Sequence, residues 1–179
     1  ALHGLNPYSQ TASTVVSTNN LESRISNAVT YAAASADSKV SDAVALIEAN
    51  GVMADGIAMS TTMKNDIAAL TANNAQKYPA FAWGAAPDTL GTMTLAVNPT
   101  VSIAATGATH TLHGLVGDFS AFKWGYADVI NVEVIEYGDP DGLADLKRQN
   151  QVVLRSEAYI GWGILHAKSF TRIVETVSA

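Results

Sequence analysis

The hydrophobic residues in the first half of the chain follow a helical spacing. The clearest stripe predicts a helix from about residue 36 to residue 50. Ser35 precedes that stripe as a helix cap, and Gly51 stands where a left-handed residue commonly ends a helix. The apolar side of the predicted helix consists of Val40, Val44 and Ile47, with Ala43 and Leu46 beside them.

Three further segments of the first half carry a recognisable pattern. The run Asp55–Met59 predicts a buried strand. Ser60 or Thr61 can cap a second helix, which is predicted to end at Asn73-Asn74. Leu21–Ala34 also has its apolar residues at helical spacing, although Thr30 and Tyr31 weaken that prediction. The stripe of the second helix consists of Met63, Ile67 and Leu70.

The second half alternates between apolar and polar residues, which is typical of strands. Gly91–Val97 shows this alternation and stops at Asn98-Pro99, whereas residues 76–90 predict an irregular surface segment. The remaining predicted strands are Leu115–Phe119, Phe122–Tyr126, Val129–Tyr137, one long strand from Val152 to Ile164, and Phe170–Val174. Two helices and about seven strands that do not alternate strictly favour an α+β fold.

The composition suggests that much of the protein's surface is covered by other molecules. Charged residues make up only 15% of the chain and apolar residues 48%, with a mean hydropathy of +0.14. Soluble domains usually carry about 25% charged residues. The net charge is −6 and Lys147-Arg148 is the only adjacent basic pair, so tight binding of nucleic acid is not expected. No apolar run reaches the roughly 20 residues of a membrane span.

The sequence contains little catalytic or metal-binding chemistry. His110 and His113 form the closest histidine pair, but residues three apart on a strand point to opposite faces. Asp139 and Asp141 are better explained by the turn Gly138–Gly142 than by calcium, because the later ligands of a calcium loop are missing. Cysteine, a Gly-x-Ser-x-Gly motif and a glycine-rich phosphate loop are absent. We therefore expect no cofactor and no metal site.

Several stretches, in order, resemble the major capsid proteins of tailed phages with the Hong Kong 97-type fold. They are ALHGLNP at the start, GDFSAFKWGYADVINVEVIEYGDPDG from Gly117, and LKRQNQVVLRSEAYIGWGIL from Leu146. The resemblance implies an α+β fold in which an axial domain, a mixed sheet flanked by helices, is joined to part of a peripheral domain. Residues 1–20 would end a peripheral segment after a spine helix, 21–148 would form the axial domain, and 149–179 would return as peripheral strands.

The resemblance also implies a structural role in an icosahedral capsid, without enzymatic activity. The partners would be copies of the chain in pentamers and hexamers, with a scaffold, a maturation protease and a portal in addition. The enclosed DNA would be held weakly, assembly would take place in the bacterial cytoplasm, and no membrane would be involved. The candidates for contacts between copies are Tyr78, Phe81, Trp83, Trp124, Tyr126, Arg155 and Tyr159.

In some members of this family an Asn and a Glu serve an isopeptide crosslink to a lysine of a neighbour. Asn150 and Glu157 stand at matching places, and a buried Glu157 would have a raised pKa suited to proton transfer. The alternative is a plain structural role, in which Glu157 pairs with Arg155 or Lys147 and Asn150 bonds to a strand end.

Two other functions remain open from the sequence. An encapsulin-type compartment shell shares the fold but encloses protein cargo. A small hydrolase or carbohydrate-binding module would use the aromatic residues around a deep pocket. The chain begins at Ala1 within a motif-like stretch, and the family resemblance implies about a hundred or more residues upstream in the full-length gene, including an arm, an extended loop and a long helix.

Overall fold

The computed structural model describes residues 24–102, 110–127, 131–139, 142, 145–157 and 159–176. The predicted peripheral segment of residues 1–20 and two residues of the predicted turn, Pro140 and Asp141, lie outside these ranges. The chain folds as two compact units. The large unit extends to Phe122 and resumes at Ile164, and the small unit is Lys123–Gly163.

The large unit contains a six-stranded mixed sheet. Its strands are β1 (Asn27–Thr30), β2 (Gly56–Met59), β5 (Thr89–Leu90), β6 (Met93–Val97), β7 (His110–Gly117) and β12 (Phe170–Thr176). Their order across the sheet is β1-β12-β7-β2-β6-β5. β1 is parallel to β12 and β2 is parallel to β6, whereas the β12-β7, β7-β2 and β6-β5 pairs are antiparallel. This mixed sheet confirms the predicted α+β fold.

Two helices pack their apolar sides into the core of the large unit. Helix α1 (Ala36–Glu48) buries Ala36, Val40, Ala43 and Ile47, and helix α2 (Thr61–Ala69) buries Met63 and Ile67. Both stripes follow the spacing read from the sequence. The strand residues in the same core are Val29, Ile57, Met59, Leu95, Val116 and Ile173.

The ends of the two helices are set by local chemistry. Gly51 adopts a φ of 76° after α1, and its N–H donates to the carbonyl of Glu48 at 2.8 Å. That conformation is the left-handed ending expected of a glycine. The side chain of Ser60 accepts a hydrogen bond from Met63 N at 3.1 Å at the start of α2, whereas Ser35 makes no such bond at α1.

Helix α2 is shorter than the sequence predicts. It ends at Ala69, because the next residues form a small hairpin of β3 (Thr71–Ala72) and β4 (Ala75–Gln76). Asn73 and Asn74 make its two-residue turn, with φ values of 51° and 62°. Asn is one of the few residues that tolerate such values, and hairpin turns require them.

The predicted helix of Leu21–Ala34 is wrong where the structure describes it. Residues 27–30 form β1, which adds to the edge of the sheet as the parallel partner of β12. Only Val29 of this strand is buried. The β-branched Val29 and Thr30 favour a strand, and the pairing with β12 decides the outcome.

The single long strand predicted for Val152–Ile164 is also wrong. The segment forms β10 (Val153–Glu157) and β11 (Ile160–Ile164), each paired with a different strand. β10 pairs with β9 (Asn131–Ile135), and β11 pairs with β8 (Phe122–Tyr126). Gly138 and Gly142 of the predicted turn have φ values of 92° and 74°, as a turn of this composition requires.

The described helices are too short or too polar to cross a membrane. Residues 170–176 pair within the sheet of the large unit, beside β1 and β7. The assignment of chain segments to axial and peripheral domains stays a prediction.

Candidate subunit interface

Most of the exposed large apolar side chains in the described part of the chain lie in the small unit. It contains eight of the twelve exposed large hydrophobic residues, whereas Leu146 is its only member among the twenty-two buried hydrophobic residues of any size in the described ranges. A unit of this size normally buries its apolar side chains in a core of its own. Contiguous exposed apolar surface of this kind marks a site where another molecule binds.

Part of this surface is the two-stranded ribbon of β9 and β10. In its antiparallel register Val134 lies opposite Leu154, and Val132 lies opposite Ser156. Directly opposed residues share a face and neighbouring residues alternate, so Val152 continues the same face. The exposed fractions are 67% for Val132, 55% for Val134, 62% for Val152 and 69% for Leu154. One face of the ribbon is therefore apolar and open.

The other face of the ribbon carries charge. Arg155 lies opposite Glu133, with 3.9 Å between a guanidinium nitrogen and a carboxylate oxygen. Arg155 also pairs with Glu157 on its own strand. Exposed pairs of this kind contribute little to stability, about 0–1 kcal/mol. The same face also carries Val153 opposite Ile135, both half-buried, so charge occupies only part of it, whereas the opposite face is largely apolar and exposed. Two strands alone are marginally stable in water.

The second strand pair of the small unit contributes aromatic surface. Trp124 and Tyr126 lie two residues apart on β8, and their rings meet edge to face with centroids 5.6 Å apart. Both are more than half exposed, as is Tyr159, whose carbonyl accepts a hydrogen bond from Ala127 N at 2.8 Å. Exposed Trp, Tyr and Arg residues are the usual anchors of protein interfaces.

The sequence prediction missed the apolar face of the ribbon. It selected Trp124, Tyr126, Arg155 and Tyr159 by residue type, but not the valines and the leucine between them. The alternation along β9 and β10 was the available signal: it shows which residues share a face, but not whether that face is covered.

The three predicted contact residues of the large unit differ in their surroundings. Tyr78 is half-buried and donates its hydroxyl to Asp37 at 2.9 Å. Lys77 also pairs with Asp37, and this hydrogen bond, the largest cause, keeps the pKa of the Asp37 carboxyl below its usual value. Trp83 is fully exposed. Phe81 is 2% exposed in the core, so the structure corrects its prediction as a contact residue.

The predicted crosslink pair is not assembled as expected. Glu157 is half exposed and bound to Arg155, so its carboxylate lacks the burial on which the crosslink prediction depends. Asn150 is an exposed turn residue with a φ of 53° that precedes β10, and Glu157 is the last residue of that strand. The five-residue strand alone is about 13 Å long. The ion pair agrees with the plain structural role, and the crosslink stays a prediction.

The structure gives the histidine pair no metal geometry. His113 is buried on β7, with its Nε2 2.9 Å from a carboxylate oxygen of Glu175 on β12. Within the described ranges no group of three or more His, Cys, Asp or Glu side chains could hold a metal ion. His113 is therefore a core histidine with an acidic partner.

Comparisons with known proteins agree with this architecture. A model of the phage capsid family matches residues 2–174. A solved structure from Mycobacterium phage Ogopogo is 27% identical, with a TM-score of 0.80, and the match covers 98% of this chain and 61% of that one. One from Gordonia phage Cozz is 23% identical, with a TM-score of 0.75, covering 99% of this chain and 57% of that one. No curated protein matches significantly.

A more distant match is the capsid of an empty GTA particle computed with C5 symmetry. It has a TM-score of 0.57 and 13% identity, covering 84% of this chain and 50% of that one. The likeness extends the shared fold beyond the mycobacterial and Gordonia phages. This chain spans about three fifths of the length of the two phage chains above. The family match, the mixed sheet and the similar solved structures together identify the chain as a member of the phage capsid family, with the Hong Kong 97-type fold.

Proposed function

We propose that the chain is the shell-building part of a phage major capsid protein. Its copies assemble into pentamers and hexamers that form an icosahedral shell around double-stranded DNA. The family match over residues 2–174 and the similarity to a capsid with C5 symmetry support this proposal. The role is structural and not enzymatic. The protein belongs in the virion capsid, after assembly in the cytoplasm of the bacterial host.

The observation that carries the proposal is the uneven distribution of apolar surface. Among its described residues, the small unit exposes eight large hydrophobic side chains and buries one. Covering a single exposed Val or Leu side chain gains about 1.5–3 kcal/mol. A neighbouring copy that covers the apolar face of the ribbon would therefore stabilise both the contact and the ribbon.

The charge of the chain suits a container for DNA better than a DNA-binding protein. A net charge of −6 without a basic cluster leaves no site for gripping phosphates. Scaffold, maturation protease and portal are further partners predicted from the resemblance. The comparisons give no support to a compartment shell, a hydrolase or a carbohydrate-binding module. Terminase and portal genes beside this gene would favour the capsid, whereas a cargo enzyme would favour the compartment.

Assembly of the full-length gene product tests the proposal. We expect closed shells in negative-stain electron microscopy after expression of the full-length protein, with or without its scaffold. A product that remains a single subunit under all assembly conditions would overturn the proposal. For this chain alone, light scattering is expected to show monomers or small oligomers, and closed shells would refute that expectation.

A further inference from the structure

Trp83 adopts a backbone conformation that does not suit tryptophan. Its φ is 58° and its ψ is 31°, within the short helical turn Pro79–Gly84. This left-handed region is costly for a bulky side chain and is usually occupied by Gly, Asn or Asp. The indole has no compensating contact within the chain, because Trp83 is 104% exposed. Neither backbone preference nor burial within the chain explains a tryptophan here.

The backbone of the turn that carries Trp83 is held in place by its neighbours. Phe81 is buried in the core and packs edge to face against Tyr78, with centroids 6.5 Å apart. The ammonium of Lys64 on α2 donates to the carbonyl of Gly84 at 3.0 Å. The backbone on both sides of Trp83 is therefore held by contacts with the core and with α2, although the indole itself makes no contact within the chain. An exposed aromatic residue on a fixed backbone segment suits an interface anchor.

The large unit also contains a half-open groove with the chemistry to accept an indole. It lies along α1, has a volume of about 320 Å³, and is lined by Val40, Val44, Ile67, Leu90 and Met93. Asp37 and Glu48 also line it. An indole combines an apolar body with one N–H donor, so it fits an apolar groove with carboxylate acceptors. The volume is at the small end of ligand pockets, about 300–1,000 Å³.

We propose that Trp83 anchors a contact between copies by inserting its indole into the groove along α1 of a second copy. This inference rests on the proposed function, because it takes a second copy as the partner. Such a contact joins two different patches, and contacts of that type generate rings. The contact is separate from the apolar face of the ribbon, so it can be tested separately.

Two substitutions in the full-length protein test the anchor and the groove. Trp83→Gly removes the indole and relieves the strain of the left-handed backbone. The denaturant midpoint of the unassembled subunit should therefore stay unchanged or rise. The concentration needed for assembly should increase at least about tenfold, as is typical for a truncated anchor. Ala45 also lines the groove, so Ala45→Arg places a charged side chain there and should raise the same concentration. The double variant should need no higher a concentration for assembly than the more severe single variant, because both changes remove the same contact.

Matched controls are available on the same unit. Met53→Ala shortens another exposed side chain, which is 79% exposed, and should leave assembly unchanged. Leu46→Arg adds the same charge as Ala45→Arg, but its side chain points about 100° further around α1. It does not line the groove and should have no comparable effect.

Fluorescence provides a readout that does not depend on the groove variants folding. In a full-length background where every other tryptophan is replaced by Phe, the emission of Trp83 should shift to shorter wavelength when shells form. If the unsubstituted protein assembles but Trp83→Gly or Ala45→Arg assembles at the same concentration, the inference is wrong. Unchanged Trp83 emission in the shells would also overturn it. Failure of the unsubstituted protein to assemble would instead overturn the proposed function.

Discussion

The ring of Tyr31 stacks on the imidazole of His113, with centroids 3.9 Å apart and planes 12° apart. The hydroxyl of Tyr31 donates to the carboxylate of Asp66 on α2, and His113 contacts Glu175 at 2.9 Å. Tyr31 directly follows β1, so the stack connects the edge of the sheet to β7 and, through Asp66, to a helix. This cluster of two stacked rings and two carboxylates thus holds the end of β1, in the segment that the sequence predicted as a helix.

This cluster predicts a loss of stability at alkaline pH. Burial, followed by the hydrogen bond to Asp66, raises the pKa of Tyr31 above its ordinary value of 10.0. Above about pH 10 the unfolded chain loses this proton before the folded chain does, so the free energy of unfolding should fall as pH rises. Urea unfolding between about pH 9 and 11.5 measures the slope of the free energy of unfolding against pH. Tyr31→Phe should have a shallower slope, and equal slopes would contradict the prediction.

Gly117 is expected to be intolerant of any side chain. A Cβ at this position would lie 2.2 Å from Cδ1 of Phe170 and 2.8 Å from the carbonyl oxygen of Ser169. Phe170 is fully buried and packs edge to face on Phe119, so it has little room to move. Gly117→Ala should therefore lower the free energy of unfolding by about 1–3 kcal/mol or more.

Gly125 on β8 provides the control for this substitution. A Cβ there would meet no atom within 4 Å, so Gly125→Ala should change the free energy of unfolding by less than about 0.5 kcal/mol. Denaturant titration of the two variants gives the comparison. Equal losses of unfolding free energy in the two variants would show that the close approach of Phe170 to Gly117 does not exclude a side chain there.

The caps of the two helices should differ in their contribution to stability. Ser60 is fully buried and its hydroxyl accepts from Met63 N, so Ser60→Ala should cost about 1 kcal/mol, within a range of about 0.5–2. Ser35 makes no side-chain cap bond, and Ser35→Ala should be close to neutral. Thermal unfolding of both variants tests the difference, and a larger loss at Ser35 would be the contrary result.

The apolar face of the ribbon should matter for assembly more than for folding. Val134→Thr together with Leu154→Thr keeps strand-compatible side chains but makes the face polar. We expect the unfolding midpoint of the subunit to stay within error, while the yield of shells from the full-length protein falls several-fold. Glu133→Thr on the charged face is the control and should leave the yield unchanged. Equal losses from both changes would argue against an apolar contact.

Local pattern in the sequence determined much of this molecule. The stripe of Val40 and Ile47, the stop at Gly51 and the cap at Ser60 depend on residues within a few positions of each other. Such short-range rules need no knowledge of the rest of the fold. The ordered stretches from Gly117 and Leu146 were also enough to identify the phage capsid family.

Only the tertiary structure decided which strands pair and which apolar residues are covered. Val29 lies in a strand because β12 pairs with it, and residues 152–164 divide because two different strands pair with their halves. Phe81 and Trp83 are two residues apart in one aromatic segment, yet the first is buried and the second fully exposed. Periodicity shows which residues share a face, but the partner of that face comes from distant parts of the chain or from another copy.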